Sequence, residues 1–201
     1  MTMFNEETSD KGVIPSRVSA LLRSLIGRRV VDATRFSWWA PEEAQQECDL
    51  ASEDVFSLTA GPVAIAFDSG VVLGVASDPS TNSVSVWKER DEVGRLLRSE
   101  PRSSDEGLYP ISATDRKFAH SFWHQMIGAR VDAVSILVRK PRTARLGELP
   151  NEVGLCFSLD SGAKVVAAHG IHDDSDDFVI ISEQQVLLRL RAELEEIQVG
   201  Q

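Results

Sequence analysis

The sequence predicts an α+β fold, mainly antiparallel sheet: two tandem repeats of helix, strand, β-hairpin, strand and helix, related by a pseudo-twofold axis. Three observations carry this expectation. AIAFDSGVVLGVAS (residues 64–77) and CFSLDSGAKVVAAH (residues 156–169) write nearly the same pattern twice, with their Asp-Ser-Gly triplets 92 residues apart. VSALLRSLIGRRV (residues 18–30) and AHSFWHQMIGARV (residues 119–131) repeat a second pattern at an offset of 101. Helix, glycine, strand and hairpin also follow one another in the same order in both copies, as an internal repeat requires.

Each unit opens on an amphipathic helix. Val18, Leu21, Leu22, Leu25 and Ile26 match Ala119, Phe122, Trp123, Met126 and Ile127, and both sets fall at i, i+3, i+4, i+7, i+8, one face of a helix. Gly27 and Gly128 then stand where a left-handed residue stops a helix. A strand follows in each copy, Arg29 to Trp39 and Arg130 to Val138. In the first copy the acidic stretch APEEAQQECDLASED reads as a long polar loop before the hairpin. The hairpins come next. Val63, Ile65 and Phe67 match Leu155, Phe157 and Leu159 with the period of two that a half-buried strand shows. Asp68-Ser69-Gly70 and Asp160-Ser161-Gly162 supply the turn chemistry. A further strand is marked by Val84 and Val86 in copy one and by Phe178 to Ile181 in copy two. Last comes a helix, over DEVGRLLRSE in copy one and over Val186, Leu187, Leu190, Leu194 and Ile197 in copy two. The domain organisation expected is an acidic, disordered terminus (1–13), a first unit (14–98), a Pro- and Ser-rich linker (99–113) and a second unit (114–201). The two units either form separate lobes or share one continuous sheet.

Composition narrows the function classes. With 42% hydrophobic and 26% charged residues, the chain has ample material for a core. Its net charge of −10 argues against a nucleic-acid partner, which calls for clustered Lys and Arg, and permits a basic protein partner. Cys48 and Cys156 make neither a disulfide framework nor a CxxC site. MTMFNEETSD lacks a signal-peptide core and no apolar run approaches the roughly 18 residues that cross a bilayer, so the expected setting is a reducing cytoplasm without membrane attachment.

Three places could hold chemistry. His120 and His124 have the i, i+4 spacing that can hold zinc, but HExxH is absent, and their counterparts in copy one are Ser19 and Arg23. His169 and His172 would have to pack beside that helix to complete a site; no bound metal and no cofactor is expected. HGIHDDSDD gathers Asp173, Asp174, Asp176 and Asp177, yet fails as a calcium loop, since an EF-hand needs Gly at position 6 and Glu at position 12. It reads instead as an acidic contact surface or a solvated loop. In FSWW, Trp38 and Trp39 occupy the positions of Arg139 and Lys140 in copy two, which places at least one near solvent as an anchor for a protein partner, unless the acidic loop covers both. No Gly-rich phosphate loop, no GxSxG and no Ser–His–Asp order is present, and no catalytic residue is assigned.

LIGRRV followed by a strand and then VAIAFDSGVVL resembles small bacterial proteins of polymorphic-toxin and immunity neighbourhoods, many of which use an aliphatic–Asp–x–Gly hairpin. The resemblance covers most of each repeat and carries no catalytic residues. It implies a non-enzymatic, protein-binding module of the immunity type that neutralises a toxin domain by covering it; the acidic charge suits a basic partner, and the residues themselves offer Trp38, Trp39, Asp173, Asp174, Asp176 and Asp177 as the contacts. The alternative is a small-molecule- or metal-binding module, or an enzyme, working in the cleft between the repeats. A deep polar cleft holding several histidines would favour the alternative; an acidic face with an exposed Trp would favour partner binding.

Overall fold

The structure, a computed structural model, describes residues 12–91, 93, 95, 107–172 and 177–200. Within them, helices accompany two five-stranded antiparallel sheets. The first sheet contains β1 (Val30–Ser37), β2 (Val63–Phe67), β3 (Val72–Asp78), β4 (Ser83–Arg90) and β5 (Tyr109–Ser112), in the order β4-β3-β2-β1-β5. The second contains β6 (Val131–Arg139), β7 (Glu152–Leu159), β8 (Lys164–His169), β9 (Phe178–Ser182) and β10 (Leu194–Gln198), in the order β10-β6-β7-β8-β9. The six α-helical segments are short: α1 (Ser19–Ser24), α2 (Pro41–Glu47), α3 (Val55–Leu58), α4 (Ser121–Met126), α5 (Ala144–Gly147) and α6 (Leu188–Arg191).

The strand order is the same in both sheets, and so is the detail. Gly27 donates its backbone N–H to Val131 O, and Gly128 donates to Val30 O, each at 2.7 Å. Val30 N–H reaches Ala129 O and Val131 N–H reaches Arg28 O, each at 2.9 Å. Both glycines have positive φ, +84° and +88°, so a side chain at either would be strained. The first strand of each sheet carries a bulge at its start, between Val30 and Asp32 and between Val131 and Ala133. Ser77 and His169, 92 residues apart, meet directly at 2.7 Å. The fifth strands match as well: Tyr109 and Ile111 face Ser37 and Arg35, as Glu195 and Ile197 face Val138 and Ile136.

The units are neither separate lobes nor parts of one sheet. Their sheets lie face to face and share one apolar core, in which Val63, Ile65, Leu73, Val75 and Val86 meet Val134, Leu155, Phe157, Val165 and Ile180. Leu22 and Leu25 of the first helical turn and Trp123 and Met126 of α4 join it, as the apolar stripes predict. A second cluster covers the outer face of the second sheet, where Cys156, Val166, Val179 and Ile181 pack under Val186 and Leu190.

Four expectations need correction. The helix expected over 186–197 is one turn, α6, and Leu194–Gln198 is the strand β10 paired with β6. Its i, i+3, i+4 spacing is real, but only Val186 and Leu190 are fully buried, while Leu187 and Leu194 pack half-buried against the same cluster. The residues beyond serve better by satisfying the exposed backbone edge of β6. The acidic stretch after β1 is not a plain loop, because it holds α2 and α3. Proline at the first position, with Glu42 and Glu43 in the first turn, suits the positive end of a helix. The stretch assigned to the linker ends in a strand, since Tyr109–Ser112 pairs with β1. The residues assigned to the acidic terminus are ordered at their end, where Val13 bridges Val86 of β4. The last helix expected in copy one lies mostly outside the described residues.

Candidate functional site

The site begins at a buried charge. Arg35 lies at a core-facing position of β1, and the counterpart of that position in β6 is Ile136. The guanidinium is fully buried and is ringed by carbonyls. Nε donates to Phe56 O at 3.0 Å and Nη2 to Ser57 O at 2.8 Å. Nη1 donates to Gly61 O at 2.9 Å and to Phe178 O at 3.2 Å. The ring of Phe178 lies 5.1 Å from the guanidinium carbon. Burial pulls the pKa down to about 9, which leaves the group charged at neutral pH. Carbonyls at the end of α3 are the negative end of a helical turn, a suitable place for a cation. Arg35 therefore fastens the first sheet, the segment 55–61 and the start of β9 to one another.

That clamp fixes the chain just beyond it. Ser37 Oγ pairs with Thr59 Oγ1 at 3.1 Å inside the protein, and Trp39 N–H donates to the same Ser37 oxygen. Trp38 N–H donates to Ala60 O. The two indoles are held by a fixed backbone and are nevertheless exposed, Trp38 at 60% and Trp39 at 38%. Tyr109, at the start of β5, faces Ser37 across the ladder and is 43% exposed. Three large aromatic side chains thus emerge at one end of the β1–β5 pair, where a soluble protein ordinarily keeps such groups covered.

Carboxylates flank the aromatic group. Between residues 40 and 62 stand Glu42, Glu43, Glu47, Asp49, Glu53 and Asp54, with no Lys or Arg among them. All but Asp54 belong to exposed residues. Lys117 answers one of them, donating to Glu42 Oε1 at 2.9 Å and holding that carboxyl below its ordinary pKa. The acidic stretch does not cover the tryptophans. It folds beside them as α2 and buries only Ala44.

Of the other contact residues named from sequence, Asp173, Asp174 and Asp176 lie outside the described residues. Asp177 is exposed and directly precedes Phe178, which accepts from Arg35 three residues short of Trp38. Its charge helps to raise the Cys48 thiol at the end of α2, after partial burial and together with Glu47. The structure thus brings Asp177, α2 and the Trp pair to neighbouring parts of one surface. Sequence reasoning missed Tyr109, hidden in a segment taken for linker. It also missed Arg35, whose signal was a charged residue at the place of Ile136 in an otherwise apolar pattern.

The histidines separate. His169 is buried between the sheets with its Nδ1 on Ser77 Oγ, while His124 is exposed on α4. His120 caps α4, its Nδ1 accepting from Phe122 N–H at 3.2 Å. Among the described residues, no three His, Cys, Asp or Glu side chains gather so as to hold a metal ion. A cleft of about 540 Å³ includes His120 but none of the other three histidines. Among the described residues, no helix is long and apolar enough to cross a membrane.

The thiols differ in kind. Cys156 is buried against the second apolar cluster, and burial pushes its pKa up to about 12. Cys48 is exposed. A thiol-reactive disulfide reagent at pH 8 is expected to titrate one thiol per native chain and two after unfolding in guanidinium, because only the thiolate attacks. Equal reaction of both thiols in the native state would show that the outer cluster opens. No protein-family model, curated protein or solved structure matches the chain.

Proposed function

We propose that the chain is a non-enzymatic protein-binding module that covers a basic domain of another protein, as an immunity-type inhibitor covers a toxin. The observation that carries this reading is the pairing of exposed, rigidly held aromatics (Trp38, Trp39 and Tyr109) with the carboxylates of residues 42–54. Aromatic anchors supply most of the energy of protein recognition, and a flanking single-sign field steers the partner in. The net charge of −10 points the same way. The histidines that would mark a competing metal site do not gather, since the cleft that holds His120 holds none of the other three.

We also propose that the two sheets descend from one duplicated unit related by a pseudo-twofold axis. The reciprocal bonds between Gly27 and Val131 and between Gly128 and Val30 support it, because an isologous contact pairs each residue with its counterpart's partner. The contact of Ser77 with His169 lies on the same axis. The proposed partner surface lies where the units differ, at the insertion of residues 40–62 in copy one.

The test is association kinetics with the product of the adjacent open reading frame. Exposed charges act over a Debye length of about 8 Å at physiological salt. Glu42→Gln, Glu43→Gln and Glu47→Gln together should lower the on-rate at low salt by about tenfold and flatten its salt dependence, with little change in off-rate. An unchanged salt slope would refute the electrostatic part of the proposal.

A further inference from the structure

The two units share one backbone plan, so residues that serve only that plan should be alike at matched positions. Apart from the insertion and the Arg35 position, they also differ around one cleft. In the second unit α4, the β7–β8 turn and the segment after β9 enclose the cleft of about 540 Å³. Its walls carry His120, Phe122, Gln125 and Lys164, where the first unit has Ser19, Leu21, Ser24 and Val72. Packing against the core accounts for Phe122, which packs there as Leu21 does, but not for the polar His120, Gln125 and Lys164. The floor is specific too. Ser57 comes from the insertion of the first unit and accepts a hydrogen bond from Trp123 Nε1–H at 2.9 Å.

The geometry points to a binding site in this cleft for a neutral, polyhydroxylated ligand, a sugar. Three features select that class. The ammonium of the wall is already paired, since Lys164 Nζ lies 3.1 Å from Glu183 Oε1 and 3.8 Å from Glu196 Oε2. An anion would have to displace one of these carboxylates from Lys164, whereas a neutral ligand would not. The polar groups are also of the right kind. The side-chain amides of Gln125 and Gln184 make no hydrogen bond among the described residues, and each presents a donor and an acceptor side by side, which matches neighbouring hydroxyls. His120 commits Nδ1 to Phe122 N–H, which leaves Nε2 as its remaining polar atom for a ligand. Finally, Phe122 is half-buried, its ring set edge-to-face on Trp123 with centroids 5.0 Å apart, and it offers an apolar surface to the C–H face of a sugar ring. The volume lies within the roughly 300–1,000 Å³ of small-molecule sites. This site is distinct from the aromatic and acidic surface and stands or falls separately from it.

Saturation-transfer NMR of the full chain tests it, with glucose, N-acetylglucosamine, maltose and cellobiose as neutral probes and with glutamate, lysine and inorganic phosphate as charged ones. Saturation of the ring protons of at least one sugar, and of none of the charged probes, is expected. Gln125→Ser and Lys164→Val install the residues of the first unit at matched backbone positions. Their thermal unfolding should stay close to wild type, while Gln125→Ser weakens sugar binding by about tenfold, the loss of one paired hydrogen-bond contact. No signal from any sugar at millimolar concentration, tighter binding of a charged probe, or full affinity in Gln125→Ser would overturn the assignment.

Discussion

Arg35→Met should lower the unfolding free energy by about 4 kcal/mol, a fall of roughly 8–16 °C in Tm for a chain of this size. Methionine fills much of the space and removes a buried charge, and in other settings such an exchange is neutral or stabilising, because desolvating the charge was costly. Here the partners cannot be removed with it. The carbonyls of Phe56, Ser57, Gly61 and Phe178 belong to the backbone and would stay buried without donors. At about 1–3 kcal/mol for each unsatisfied group, partly relieved by relaxation, that loss exceeds the gain from discharging the site. Arg35→Lys should recover only part of the deficit, since one ammonium on a flexible stem cannot reproduce the planar fork that reaches four oxygens. Urea unfolding of the three proteins measures this directly. A methionine variant within about 0.5 kcal/mol of wild type would mean that the segment 55–61 is held by packing alone.

The second large effect concerns the proposed partner. Trp38→Ala should raise the dissociation rate of the complex about 30-fold, the equivalent of roughly 2 kcal/mol for a central aromatic anchor, and leave the on-rate and its salt dependence unchanged. Neutralising the carboxylates should do the opposite. The separation is diagnostic because an anchor acts after docking and a field acts before it. Trp38 is exposed in the free chain and its hydrogen bond to Ala60 O comes from the backbone N–H, which the substitution keeps, so stability should stay within about 0.5 kcal/mol of wild type. Equal off-rates for wild type and variant would remove Trp38 from the interface.

Much of the fold was legible because local pattern and tertiary need agreed. The period of two around Asp68-Ser69-Gly70 and Asp160-Ser161-Gly162, and the glycines at 27 and 128, place both hairpins and both helix ends close to where they stand. The errors fall where the two disagreed. Leu194 and Ile197 keep a helical spacing with Val186 and Leu190, yet the open edge of β6 draws them into a strand. Nothing in YPIS shows that it completes the first sheet, because its partner β1 lies 72 or more residues earlier and pairing leaves no local mark on a four-residue edge strand. The Trp pair and its acidic neighbours could be read from residue type alone. Their joint exposure could not, since it depends on α2 folding beside the indoles rather than over them. Tyr109 became visible only with the register of β5.

Amide hydrogen exchange of the chain, free and saturated with the product of the adjacent reading frame, tests the proposed partner surface most directly. The account predicts slowed exchange across residues 38–54 and 107–112 on complex formation, with the cleft residues 120–125 and 182–185 unchanged. Protection confined to the cleft, or absent from the segments carrying Trp38, Trp39 and Tyr109, would contradict it.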